Sequence, residues 1–388
     1  MEYAVQKIML ALLKNAVDGS VLTEDQKAQI DENAAERLYV LSAKHDLAHI
    51  VGYSLKKQGI KVSDRIALAF EKQIMLAVFR DEGMSFAIAE LSAFLEEEGA
   101  DFVLLKGSVL KKYYPEKWMR TNCDIDVLVR KTEMDRITKL VCEKLNYTPK
   151  GRTSHDVSFT APNGVSVEIH FDLVEEDIHP EGKGLADRVW LSVRPKEGYK
   201  HNLEMSDAAM YCYHLTHMAK HFREGGCGVR SFIDLWLLSN IDTAMPEERA
   251  KMIEESGLVN FENATRTVAK VWFEGGEHSA LSGYVEEYIL NGGVYGSYEN
   301  RVYSQQTRQG GKLKYLWKRT FLPMESLKNR YPVVRKYPIL APIYQFERFF
   351  TMVREKRLGK AVKEFKVNAK MSKEKIESGA DLIKKLGL

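Results

Sequence analysis

The chain has 388 residues with 45% hydrophobic and 29% charged side chains and only 10 prolines, which excludes disorder and fibrous repeats and allows two or three packed units. Four cysteines without CxxC spacing (Cys123, Cys142, Cys212, Cys227) argue against a disulfide framework or zinc ribbon and lead us to expect a reducing cytoplasm, and neither a signal peptide nor a run of eighteen apolar residues is visible, so no membrane span is expected. The net charge of +3 conceals a basic tail, 20 Lys/Arg against 7 Asp/Glu in residues 311–388, behind an acidic body with 37 against 47.

Most of the chain reads as helix. Residues 3–17 carry apolar positions at helical spacing, and Thr23-x-x-Gln26 is a capping-box pattern that opens a helical stretch through about Lys57. Residues 64–98 keep the helical period until Gly99, with Gly83 a point of bending or splitting. At residue 101 the character changes. FVLLK is a short apolar run, CDIDVLV (123–129) alternates acidic and apolar residues, and SHDVSFTA (154–161) and VSVEIHFDL (165–173) alternate around a Pro162-Asn163-Gly164 turn. A helix over 132–145, capped by Thr132, separates the second strand from the third. Helices follow at 207–222 behind Ser206, at 229–240 after a Gly225-Gly226-Cys227-Gly228 loop, from Pro246, and on to about residue 290. Prolines 332, 338 and 342 predict an extended connector before a basic helix from about Tyr344.

The expected fold class is therefore α+β, a small mixed sheet embedded in a mostly helical protein. The divisions expected are a helical region over 1–99, the sheet unit over 100–200, a helical domain over 201–305 and a basic helical segment over 306–388.

Chemistry concentrates in two strands. Residues two apart on a strand share a face, so Asp124 and Asp126 project together, as do Glu168, His170 and Asp172. If these strands are neighbours, three carboxylates converge, an arrangement that is costly unless a cation neutralises it. Oxygen ligands suit Mg²⁺ or Mn²⁺, and two such ions can activate a nucleophile and stabilise a leaving pyrophosphate. Upstream, Gly107-Ser108 between a strand and a helix is placed to dock a polyphosphate, with Lys106 and Arg120 either holding the phosphates or only balancing the acidic cluster. His170 either bonds to a ligand carboxylate or simply packs. His214, His217 and His221 share a helix face, either toward a cleft or in the core, with a zinc site alongside Cys212 and Cys227 a lesser alternative because the spacing is not a usual ligand pattern, and Arg230–Asp234 is an i,i+4 pair. Tyr315, Trp317 and Phe321 among basic residues suit either nucleic acid or a core.

The set LLKGSVL, Arg120 through DIDVLV, and VEIHFDL resembles the nucleotidyltransferase superfamily that includes DNA polymerase β, and more closely a bacterial family of uncharacterised nucleotidyltransferases. The resemblance implies metal-dependent transfer of a nucleoside monophosphate from an NTP to an acceptor, with release of pyrophosphate. It places Gly107 and Ser108 in the phosphate-binding turn and Asp124, Asp126 and Glu168 at the metal, as ligands and catalytic residues. The acceptor is open among a protein side chain, a small molecule and an RNA end. The alternatives are a catalytically silent nucleotide-binding module and a nucleic-acid-binding protein acting through the basic segment.

Overall fold

In a computed structural model of the chain, the structure describes residues 2–174, 182–241, 246–293, 317, 321–322, 324, 327–328, 331–354 and 381–388. The four expected strands all form: β1 (Phe102–Leu104), β2 (Asp124–Val129), and, after β3 (Thr148–Arg152), the hairpin of β4 (Asp156–Thr160) and β5 (Ser166–His170). With β6 (Arg194–Pro195) and β7 (Asn202–Glu204) they make one mixed sheet in the order β3-β4-β5-β2-β1-β7-β6. The three extra strands carry no readable alternation. Strand β3 holds Pro149 and Gly151 at an exposed edge, where such residues are tolerated, and β6 and β7 are two and three residues long.

The pairing that matters for function is β2 with β5. They are adjacent and parallel, with Asp126 opposite Glu168 and Leu128 opposite His170. Because side chains alternate, Ile125, Val127, Val129, Val167 and Ile169 all fall on the other face, and all are fully buried. That face is sealed by helix residues Met84, Leu91, Phe94 and Leu95 and by Ile137 and Val141.

The amino-terminal stretch is four helices rather than two: α1 (Glu2–Asp18), α2 (Glu24–Ala28), α3 (Glu32–Lys44) and α4 (Ala48–Lys57). Thr23 and Gln26 do form the capping box, and Asp31 restarts the chain by accepting the Ala34 N–H at 2.7 Å. Helix α5 (Asp64–Glu97) runs through Gly83 unbroken and ends at Gly99 in the left-handed region (φ 66°). Its first half, Ile66 and Phe70, packs into a large helical core, while its second half lies beneath the sheet. One helix thus joins the two cores.

The remaining helices are α6 (Gly107–Leu110), α7 (Met134–Lys144), α8 (Leu185–Ser192), α9 (Asp207–Glu224), α10 (Val229–Ile241), α11 (Pro246–Glu255), α12 (Val259–Glu274) and α13 (Ala280–Leu290). Thr132 does not cap α7, because a 3₁₀ turn over Lys131–Glu133 puts Glu133 in the cap position without a side-chain bond. Ser206 does cap α9, accepting the Ala209 N–H at 3.2 Å. The proline-rich connector is helical: Pro332 and Pro338 start short helices, positions where a missing N–H costs nothing, and Ala341–Arg354 follows as a helix. Among the described residues, no helix is long and apolar enough to cross a membrane.

Candidate active site

The polar face of β2 and β5 floors a cleft of about 440 Å³ whose opposite wall is α9 and the start of α10. Lys106, Gly107, Arg120, Asp124, Asp126 and Glu168 all line it. Asp126 is the buried centre, 2% exposed, and its Oδ1 accepts from Lys106 Nζ at 2.6 Å and from His170 Nε2 at 2.9 Å. Glu168 Oε2 lies 3.6 Å from the same His170 nitrogen, and ligand atoms of Asp126, Glu168 and His170 all fall within 4.8 Å of one another. Asp124 stands two residues along the same strand face.

The electrostatics divide the three acids. Burial opposes ionisation of Asp126, but the Lys106 ammonium and the His170 bond outweigh it and hold its carboxyl well below the ordinary range. Burial and the Asp126 charge push Asp124 up, and burial with both aspartates pushes Glu168 up. Burial likewise works against the charge of Lys106, yet Asp126 overrides it and raises the ammonium's affinity for its proton. The cluster therefore holds more negative charge than its resident cations neutralise. That excess, on oxygen ligands alone, fits a hard divalent cation.

The glycine turn differs from expectation. Helix α6 has only four residues, the Ser108 N–H is taken by the Leu105 carbonyl at 3.2 Å, and the Val109 N–H goes to the Lys106 carbonyl. The Ser108 hydroxyl is buried and does not line the cleft, so the structure does not bring Ser108 to the other candidates. Gly107 is required for close approach, because a Cβ there would sit 2.7 Å from Asn122 Cβ. Lys106 itself adopts φ 48°, a strained backbone for a residue with a side chain, and this turn carries its ammonium to Asp126.

Arg120 is also already engaged. Its Nε lies 2.9 Å from both carboxylate oxygens of Asp234, its Nη2 is 2.9 Å from Oδ2, and Tyr114 donates to the same Asp234 at 2.7 Å. The expected Arg230–Asp234 pair is replaced: Arg230 Nη1 bonds to Asp46 Oδ2 at 3.0 Å and to Thr121 Oγ1 at 2.8 Å. Helical i,i+4 spacing allows a pair but does not select it when another partner offers a better fork. Arg120 and Arg230 thus tie the loop before β2 to the helical body.

His214, His217 and His221 do face the cleft. His217 and His221 meet Nε2 to Nε2 at 3.2 Å, and burial with the neighbouring His221 keeps His217 neutral, well below its usual pKa. Sequence reading missed Asn122, which lines the cleft and donates to the Asp124 carbonyl at 2.6 Å, and Tyr213 on α9; neither carries a spacing signal. Of the aromatics in the basic tail, Trp317 and Phe321 are exposed and Tyr315 lies outside the described residues.

A solved structure titled an antigenic nucleotidyltransferase-like protein from Paracoccidioides brasiliensis aligns with 52% of this chain and 97% of its own at 12% identity, with a TM-score of 0.34, a likeness too loose to carry an argument. Among curated proteins none matches. A family model described as uncharacterised nucleotidyltransferase matches residues 31–274, which include every cleft-lining side chain on the sheet and on α9. The chain belongs to that family of uncharacterised nucleotidyltransferases.

Proposed function

We propose that the protein transfers a nucleoside monophosphate from an NTP to an acceptor hydroxyl or amine and releases pyrophosphate. The observation that carries this reading is the register of β2 and β5, which sets Asp126 directly opposite Glu168 on the floor of a cleft, with Asp124 on the same face. Mg²⁺ or Mn²⁺ held by Asp124, Asp126 and Glu168 would neutralise the triphosphate and lower the cost of the charge that develops on the leaving pyrophosphate. Glu168, 29% exposed and raised by burial and both aspartates, takes the acceptor's proton. The acceptor atom then bonds to the α-phosphorus as the bond to the β-phosphate oxygen breaks. Lys106, 23% exposed, would be released from Asp126 to hold the phosphates once a cation neutralised that carboxylate. His170 holds Asp126 in place through Nε2–H.

The Lys106–Asp126 ion pair also favours a second reading, in which the ammonium keeps the cation's position and the cleft binds nucleotide without turnover. Incubation with each Mg²⁺–NTP followed by mass spectrometry of the protein and candidate acceptors separates the two. Addition of one nucleotidyl group, and NTP binding lost in EDTA, support transfer. NTP binding unchanged by EDTA, with no adduct on any acceptor, supports the silent module.

A further inference from the structure

We infer that His155, Asp156 and His170 form a second metal site, distinct from the carboxylate cluster, that takes a borderline divalent cation such as Zn²⁺. One ligand atom of each residue lies within 4.8 Å of those of the other two, and the three side chains are 8%, 4% and 3% exposed. The fold sets them there by register: Asp156 is paired across from His170 in the β4–β5 hairpin, and the His155 carbonyl accepts the Phe171 N–H at 3.0 Å. The two imidazole rings stand 5.8 Å apart between centroids.

The chemistry of His170 gives the site its direction. Its Nε2 faces the ionised Asp126 at 2.9 Å, and a carboxylate can only accept, so Nε2 carries the ring proton. In that tautomer Nδ1 is the nitrogen left to coordinate a metal. It is buried and has no hydrogen-bond partner among the described residues, a costly state for a buried polar group. A cation bound by Nδ1 removes that cost. The resulting order, carboxylate to Nε2–H and Nδ1 to metal, is how metal-binding imidazoles are commonly oriented. On the other side, the Thr153 hydroxyl bonds to Asp156 and lies 3.1 Å from His155 Nδ1, so one side chain positions both remaining ligands.

Two nitrogens and one carboxylate are the donor set of Zn²⁺ and its transition-metal neighbours, whereas Asp124, Asp126 and Glu168 offer only the oxygens preferred by Mg²⁺. The two sites are therefore selective for different ions while sharing the His170–Asp126 bond.

Metal analysis of the full chain, stripped and then equilibrated with Zn²⁺ alone, tests the proposal independently of any transfer activity. The expected result is one tightly held Zn²⁺ per chain, kept in Glu168→Gln and in His217→Ala, and weakened by about 100-fold or more in His155→Ala and Asp156→Asn. Zinc kept in His155→Ala but lost in Glu168→Gln or His217→Ala overturns it, as does a wild-type chain that holds no stoichiometric zinc. Should His155→Ala fail to fold, Co²⁺ bound to the wild type decides. An intense visible spectrum of low-coordinate, nitrogen-ligated Co²⁺ supports the site, and the weak spectrum of an all-oxygen octahedral ion refutes it.

Discussion

Two buried aspartates, Asp126 on the cleft floor and Asp234 behind Arg120, are each bound to a basic side chain, and the two pairs are built oppositely. Asp234 is locked: Arg120 holds it through two nitrogens, Tyr114 adds a third donor, and the carboxylate is fully covered. Asp126 is held by one ammonium and one imidazole, beside two further acids whose pKa values burial and the neighbouring carboxylates raise. A planar guanidinium fork makes a fixed joint, and a lysine on a flexible stem makes a replaceable counter-ion. The difference teaches which ion pair serves the fold and which serves the site.

The largest effect expected from breaking this contrast is on turnover. Asp126→Asn should lower nucleotidyl transfer by on the order of 10³-fold, the scale seen when a preorganised charge-stabilising group is lost. It should also destabilise the protein, because Lys106 and His170 lose a buried partner. Asp124→Asn should abolish transfer too, yet raise the melting temperature in EDTA, since it removes one of several crowded like charges. Transfer retained in either variant within about tenfold of wild type would separate the aspartates from the chemistry.

Next comes stability. Asp234→Asn strands a buried guanidinium and should cost about 3–5 kcal/mol in denaturant unfolding, whether or not Mg²⁺ is present. Lys106→Met should cost less in stability, and its main effect should be a raised KM for NTP, with any loss of stability recovered on adding Mg²⁺. If Lys106→Met and Asp234→Asn respond alike to Mg²⁺, the contrast between a replaceable and a fixed pair is wrong.

The sequence made one side of this contrast legible and hid the other. Strand parity located Asp124, Asp126 and Glu168, because a period of two is a local property and a one-residue slip would have buried a carboxylate among Val167 and Ile169. The α+β class was readable for the same reason. The partners of Arg120, 114 residues away in Asp234, and of Arg230 in Asp46 were not, since tertiary pairing leaves no trace in local spacing. The i,i+4 spacing of Arg230 and Asp234 even pointed to the wrong pair. For Ser108 the local pattern says less than the structure: a Gly-Ser turn before a helix looks like a phosphate cradle, but the helix is four residues long and the Ser108 and Val109 amides bond to backbone carbonyls. His155 and Asp156 sat in plain alternation and gained meaning only when the hairpin register brought them to His170.

The smallest effect concerns buried bases that have no such ion pair among the described residues. His45 is fully buried beside the like-charged Lys44, and His49, 3% exposed, contacts the Met119 carbonyl at 3.0 Å; burial holds both at about 4, against an ordinary value of 6.5. The sign follows from linkage. Both rings are neutral in the folded chain, whereas the unfolded chain takes up their protons once pH falls below about 6.5, so stability is level above that value, declines between about 6.5 and 4, and stops declining on their account below it. Each histidine should contribute a loss on the order of 1 kcal/mol by pH 5.5. The Arg120–Asp234 pair adds almost no slope above about pH 5 and begins to contribute only below it, because Arg120 outweighs burial and moves the Asp234 carboxyl below its ordinary range. The check is urea unfolding of wild type and His45→Leu across the window. Whatever its overall stability, the leucine variant should lose stability less steeply with acid, and the carboxylates of the cleft, common to both proteins, cancel in the difference. Parallel curves for the two proteins would mean that His45 is already charged in the folded chain, and that a counter-ion serves it there as Asp126 serves Lys106.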